Sequence, residues 1–118
     1  MSCTAILLAG LAPELEARLQ QQLTGFTGAL LKSYLPQVWV FQTEQDTASL
    51  TVANDGHVSI TASAASQPDV TIATSHERLS IALKTRDRSK VPPGPMTVTP
   101  HTSKGRTAFE FTRSRLGL

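Results

Sequence analysis

Apolar positions in the first third of the chain recur at the period of a helix. Leu11, Leu15, Leu19, Leu23, Phe26 and Leu30 fall three or four residues apart, on one face of a 3.6-residue repeat. Pro13 fits a first turn, where its missing N–H removes no bond, and Glu14 and Glu16 then lie near the positive end of the helix dipole. Gly25 and Gly28 weaken the middle of the stretch, and Pro36 closes it. The pattern predicts a kinked helix or two helices, over 13–24 and 27–34, with residues 1–12 as a frayed lead.

The period then changes to two. Residues 37–44 are rich in β-formers. In 47–53, Ala48, Leu50 and Val52 alternate with Ser49 and Thr51, and in 57–63 Val58, Ile60 and Ala62 alternate with Ser59, Thr61 and Ser63. Asn54-Asp55-Gly56 lies between these runs, and its Asp-Gly pair suits a tight turn needing positive φ. Gln45-Asp46 marks the preceding turn. The prediction is a three-stranded antiparallel meander with one apolar and one polar face. A fourth strand is expected at 69–74, after Gln67-Pro68. Ser75 as N-cap and Glu77 in the first turn then open a short helix over 76–85, carrying Leu79 and Leu83. Residues 85–95 read as a charged, proline-rich loop, and Met96 to Val98 as a fifth strand.

The last segment is ambiguous. Phe109 and Phe111 alternate as in a strand, whereas Phe109, Thr112 and Leu116, or Ala108, Thr112 and Arg115, are spaced as in a helix. Thr102 or Ser103 suits an N-cap and Gly117 an end, and a helix over 104–115 is the expectation. The fold class is therefore α+β: a five-stranded, largely antiparallel sheet covered on one face by N-terminal, middle and C-terminal helices.

A chain of 118 residues suits a single domain spanning 1–118. Its hydrophobic fraction of 40% and charged fraction of 17% argue against global disorder. Cys3 is the one cysteine, so no intrachain disulfide forms and packing must hold the fold. No basic run precedes the short apolar stretch Ile6 to Leu8, and no apolar run approaches the ~18 residues of a membrane span. The terminal Arg-Leu-Gly-Leu is not a peroxisomal address. A cytoplasmic protein is expected.

Charge changes the picture more than composition does. Residues 1–77 hold two basic and seven acidic side chains, a net of −5, whereas residues 78–118 hold nine basic and two acidic, a net of +7. The basic third makes a transient anionic membrane or an acidic protein surface a candidate partner, against the plainer account of a solvated face. Lys84, Arg86, Arg88 and Lys90 cluster, as do Lys104, Arg106, Arg113 and Arg115, but the single Trp and single Tyr precede both groups. Without aromatics interleaved for base stacking, nucleic acid is not an expected partner.

No catalytic pattern emerges. His57, His76 and His101 lie far apart and none has a His or Cys at metal-ligand spacing, so no metal and no cofactor is expected. Cys3 has no base placed beside it. Thr102 to Arg106 could hold an anion at a helix N-terminus, but an ordinary cap accounts for it. Asp55 belongs to turn chemistry, and Asp69 reads as a cap or turn partner.

The stretch from Trp39 to Leu83 resembles the sterol carrier protein 2 family. The resemblance lies in an ordered series: the strand Val38-Trp39-Val40-Phe41, the strand–turn–strand from Leu50 through Gly56 to Ile60, then Pro68-Asp69-Val70-Thr71-Ile72, followed by Ser75 and a short helix with Leu79 and Leu83. It covers about residues 26–100, and departs at Lys84 to Pro95, where Pro92-Pro93-Gly94-Pro95 replaces the family's usual glycine-bearing entry to the last strand. The resemblance implies a tunnel for a lipid-like small molecule of fatty acyl, isoprenoid or sterol-like character, in a domain with no catalytic residues. By position the tunnel wall would be Trp39, Phe41, Leu50, Ile60, Ile72, Leu79, Leu83, Met96 and Val98, with Phe109, Phe111 and Leu116 as the lid. Arg86, Arg88 and Arg106 would meet a headgroup or an anionic surface. The expected activity is thus non-enzymatic binding, or transfer, of a lipid by a monomer or homodimer. The alternative is an interaction module acting through its basic third, without a small ligand; an accessory domain of a larger acyl-processing enzyme is a third reading.

Overall fold

A computed structural model of the chain describes residues 3–23 and 32–118. Gln-Val-Trp-Val-Phe-Gln, a run of β-branched and aromatic side chains, forms the central strand β1 (Gln37–Gln42). The alternating runs that follow form β2 (Thr47–Val52) and β3 (Val58–Thr61). Asp-Gly turns the chain between them: Gly56 takes a φ of 86°, its N–H donates to the Ala53 carbonyl, and the Asp55 carboxylate accepts from His57 N–H. Strands β4 (Val70–Thr74) and β5 (Met96–Pro100) complete the sheet in the order β3-β2-β1-β4-β5.

Three pairings are antiparallel and one, β1 with β4, is parallel, so the sheet is mixed. Register stacks the apolar residues on one face, with Trp39 opposite both Leu50 and Val70, Phe41 opposite Ala48 and Ile72, and Ile72 opposite Val98. The other face carries Val38 and the buried Val40 together with Thr51, Ser59, Thr71, Thr97 and Thr99. There the buried Ser49 hydroxyl donates to the Ser63 carbonyl and accepts from Ala65 N–H, which folds the 62–66 loop against the sheet.

The helices lie on the apolar face, contributing Ala5, Leu8, Leu11, Leu79, Ala82, Leu83 and Phe109 to one core cluster. The first, α1 (Cys3–Leu23), begins ten residues earlier than the pattern predicts, and Pro13 lies inside it. Residues 3–12 are therefore helical rather than frayed. Two forces outweigh the interior proline, whose usual cost is about 3 kcal/mol. Leu8 and Leu11 are buried, and the Asp46 carboxylate, from the β1–β2 turn, accepts from the N–H groups of Cys3 (2.7 Å) and Thr4 (3.0 Å). The expected helix over 27–34, with Phe26 and Leu30, lies largely outside the described residues.

Helix α2 (His76–Thr85) is capped as predicted, Ser75 Oγ accepting from Arg78 N–H at 3.1 Å. It ends on Arg86, whose backbone is left-handed at φ 53°. The 85–95 segment contains one 3₁₀ turn, Arg88–Lys90. The final segment is helix α3 (Ser103–Thr112), extended by a 3₁₀ turn, Arg113–Leu116. Thr102 is its cap, accepting from Gly105 N–H.

Asp69 ties these parts together. Its carboxylate accepts from Val38 N–H (2.9 Å) on β1 and from the Thr102 hydroxyl (2.8 Å) at the start of α3. Lys104 Nζ stands 3.8 Å away and donates to the Pro36 carbonyl. Only glycine fits at position 105, because a Cβ there would collide with the Asp69 carbonyl oxygen.

Candidate functional site

An apolar cavity lies over β1 and β2, between the C-terminal half of α1, the 34–37 segment and α3. Its volume is about 130 Å³, counted as the space open to the centre of a water molecule. Leu11, Leu15 and Leu19 enter from α1 because their four-residue spacing puts them on one stripe. Trp39, Phe41, Leu50 and Val52 enter from the inward positions of β1 and β2. Ala108, Thr112 and Leu116 enter from α3 and the turn after it, and Tyr34 and Leu35 complete the wall.

Polar atoms in the wall satisfy one another. Gln37 is buried; its Nε2 donates to the Tyr34 carbonyl (2.6 Å) and the Lys104 carbonyl (3.2 Å), and its Oε1 accepts from Trp39 Nε1 (2.9 Å). This fixes the indole ring, which also packs against Phe109 at 5.5 Å between centroids. The Thr112 hydroxyl donates to its own helix at the Ala108 carbonyl. Apart from two arginines, the space between is bounded mainly by hydrocarbon.

Among the described residues, the charged side chains on the wall are Arg18 and Arg86. Both guanidinium groups meet one oxygen of Glu14: Arg18 Nη2 at 3.2 Å, one helical turn away, and Arg86 Nη1 from the end of α2. The Arg86 hydrogen bond and the positive charge of both arginines hold the Glu14 carboxyl below its ordinary pKa, against a smaller cost from desolvation. Arg86 Nε also donates to the Leu83 carbonyl.

The residues expected at the site separate into two groups. Trp39, Phe41, Leu50, Leu116 and Arg86 line the cavity. Ile72 and Leu79 are wholly enclosed, Leu83 is buried, and Ile60, Met96 and Val98 are partly buried against the core; none of these six lines the cavity. Phe109 is a buried core residue beside Trp39 and is not among the residues lining the cavity. Phe111 points outward, 73% exposed, because a helix puts residues two apart on opposite sides. Arg88 and Arg106 are exposed and off the wall. The α1 stripe and Arg18 were missed although the leucine spacing marks the stripe; Tyr34 and Gln37 carry no periodic signal at all.

A second, open depression of about 570 Å³ lies on the other side, around Pro68, Asp69, His101 and Lys104. Its carboxylate is already engaged with Val38 and Thr102. Among the described residues, no three His, Cys, Asp or Glu side chains are grouped to hold a metal ion, and no helix is long and apolar enough to cross a membrane.

The architecture is that of a sterol carrier protein 2-like domain. A solved structure described as "UbiJ-SCP2 Ubiquinone synthesis protein" superposes with a TM-score of 0.57 over 96% of this chain and 96% of that one, at 16% sequence identity. No protein-family model matches the sequence, and no curated protein matches it significantly. The likeness is one of fold.

Proposed function

We propose that the protein is a non-catalytic binder of a lipid-like molecule, whose apolar part occupies the cavity over β1 and β2. The observation that carries this is a wall of leucine, aromatic and valine side chains in which Gln37 and Thr112 turn their polar groups into the protein. An apolar chain entering such a space leaves water without disrupting a hydrogen bond. At ~0.8 kcal/mol per buried methylene, about five seated methylenes contribute ~4 kcal/mol, equivalent to roughly millimolar affinity. The sterol carrier protein 2-like architecture supports the same class of function, and the solved neighbour is described as a ubiquinone synthesis protein.

Trp39 is the only tryptophan and lines the cavity, so its emission reports occupancy. Titration with 1-dodecanol should give a saturable change in the wild type. Leu15→Glu, which puts a carboxylate on the half-buried wall of α1, should remove that response while the circular dichroism spectrum stays unchanged. A wild-type protein whose Trp39 emission ignores the alcohol would count against the reading.

A further inference from the structure

The cavity wall shows a charge asymmetry. Among the described residues, the two charged side chains that line it are both cations, Arg18 and Arg86, whereas Glu14, which holds them, stands off the wall with half its side chain in solvent. One carboxylate against two guanidinium groups leaves one positive charge over beside an otherwise hydrocarbon space. Arg86 is held more firmly than an incidental surface residue. It ends α2 in the left-handed region (φ 53°, ψ 31°), where glycine is the usual occupant, and its side chain is 24% exposed and directed across to α1. Seating an alkyl chain by itself gives weak binding, so a selective ligand needs a second anchor, and this pair is placed to supply it.

We propose that Glu14, Arg18 and Arg86 form an anion-exchange mouth, and that the ligand is a single-chain amphiphile with an anionic head. In the empty protein the Glu14 carboxylate occupies the guanidinium groups. On binding, the carboxylate or phosphate oxygens of the head replace it on Arg86 and Arg18, and the chain runs past Leu15 and Leu19 toward Trp39. Exchange of one carboxylate for another oxyanion keeps the arginines paired throughout, so charge is not left stranded in the half-buried mouth. This rests on the cavity being the binding site.

Three probes share one chain length and differ in the head: laurate, dodecyl phosphate and 1-dodecanol, each titrated against Trp39 emission. The expected wild-type result is binding of one or both anions about tenfold tighter than the alcohol, with the preference shrinking as salt rises. The tighter of the two anions assigns the head as carboxylate or phosphate. The anion-to-alcohol ratio should fall toward one in Arg86→Gln and in Arg18→Gln, the latter at an exposed helix position. Glu14→Gln removes the competitor and should raise the ratio, which a merely structural ion pair would not do. A wild-type ratio near one, with all three probes bound, overturns the anionic head and leaves the cavity reading standing. Trp39 emission that responds to none of the three overturns both.

Discussion

At the scale of single residues, the molecule depends on polar side chains that satisfy distant backbone groups. Asp69 is 6% exposed and accepts from Val38 N–H and the Thr102 hydroxyl, which joins the two parallel neighbours β1 and β4 to the start of α3. Removing the carboxylate leaves the part-buried Val38 N–H unpaired, frees the Thr102 hydroxyl and leaves Lys104 without its anion. Asp69→Ala is therefore expected to lower stability by about 3 kcal/mol, read from the midpoint of urea unfolding. Gly105→Ala is expected to destabilise too, because its methyl group would enter the Asp69 carbonyl. The sequence marked Asp69 as a satisfied partner but not its partners, since both lie about thirty residues away along the chain. Gly105 had no local signal either: nothing in Lys104-Gly105-Arg106 shows that another backbone passes within contact distance.

At the scale of elements, the acidic turn between β1 and β2 organises two helix N-termini. Asp46 caps α1, and Glu44 accepts from His76 N–H at 2.9 Å beside the Ser75 cap of α2. Asp46→Ala should loosen the first turn of α1 at a cost of about 1 kcal/mol, seen as faster amide exchange at residues 4–8. The His76 N–H lowers the pKa of Glu44 below its ordinary value. Its contribution to stability is therefore complete above the unfolded carboxylate pKa, about 4.3. It is lost as pH falls through the lowered folded value. Thermal midpoints measured from neutral pH to pH 2 should fall less steeply in Glu44→Gln. Helix α3 offers a cleaner contrast: Phe109→Ala removes a ring packed on Trp39 and should cost about 3–5 kcal/mol, whereas the exposed Phe111→Ser should be nearly neutral. A strand would have put both rings on one face and made the two substitutions alike.

At the scale of the whole molecule, the sheet's apolar face is only partly filled. Over β4 it is sealed by solid packing around Ile72 and Leu79, while over β1 and β2 a space remains between α1 and α3. Filling that space should trade binding for stability. Ala108→Leu adds apolar volume where α3 faces the cavity, and should raise the thermal midpoint of the empty protein while abolishing the Trp39 response to 1-dodecanol. A lowered midpoint would show that the space is too narrow to take the side chain, which bears directly on the size of chain it admits.

The sequence by itself determined the elements and their faces. Alternation at Leu50, Val52, Val58 and Ile60, the Asp-Gly turn, Ser75 and the stripe Leu11, Leu15 and Leu19 are local signals, because periodicity and capping act between residues a few positions apart. It did not determine the start of α1, whose cap is Asp46, 42 positions from Thr4, nor the parallel pairing of β1 with β4. Above all, it did not decide which inward side chains meet others and which meet space. Alternation places Ile72 and Leu50 on the same face, yet one is sealed in the core and the other borders the cavity, and that difference depends on how far α1 and α3 stand apart once the sheet is formed.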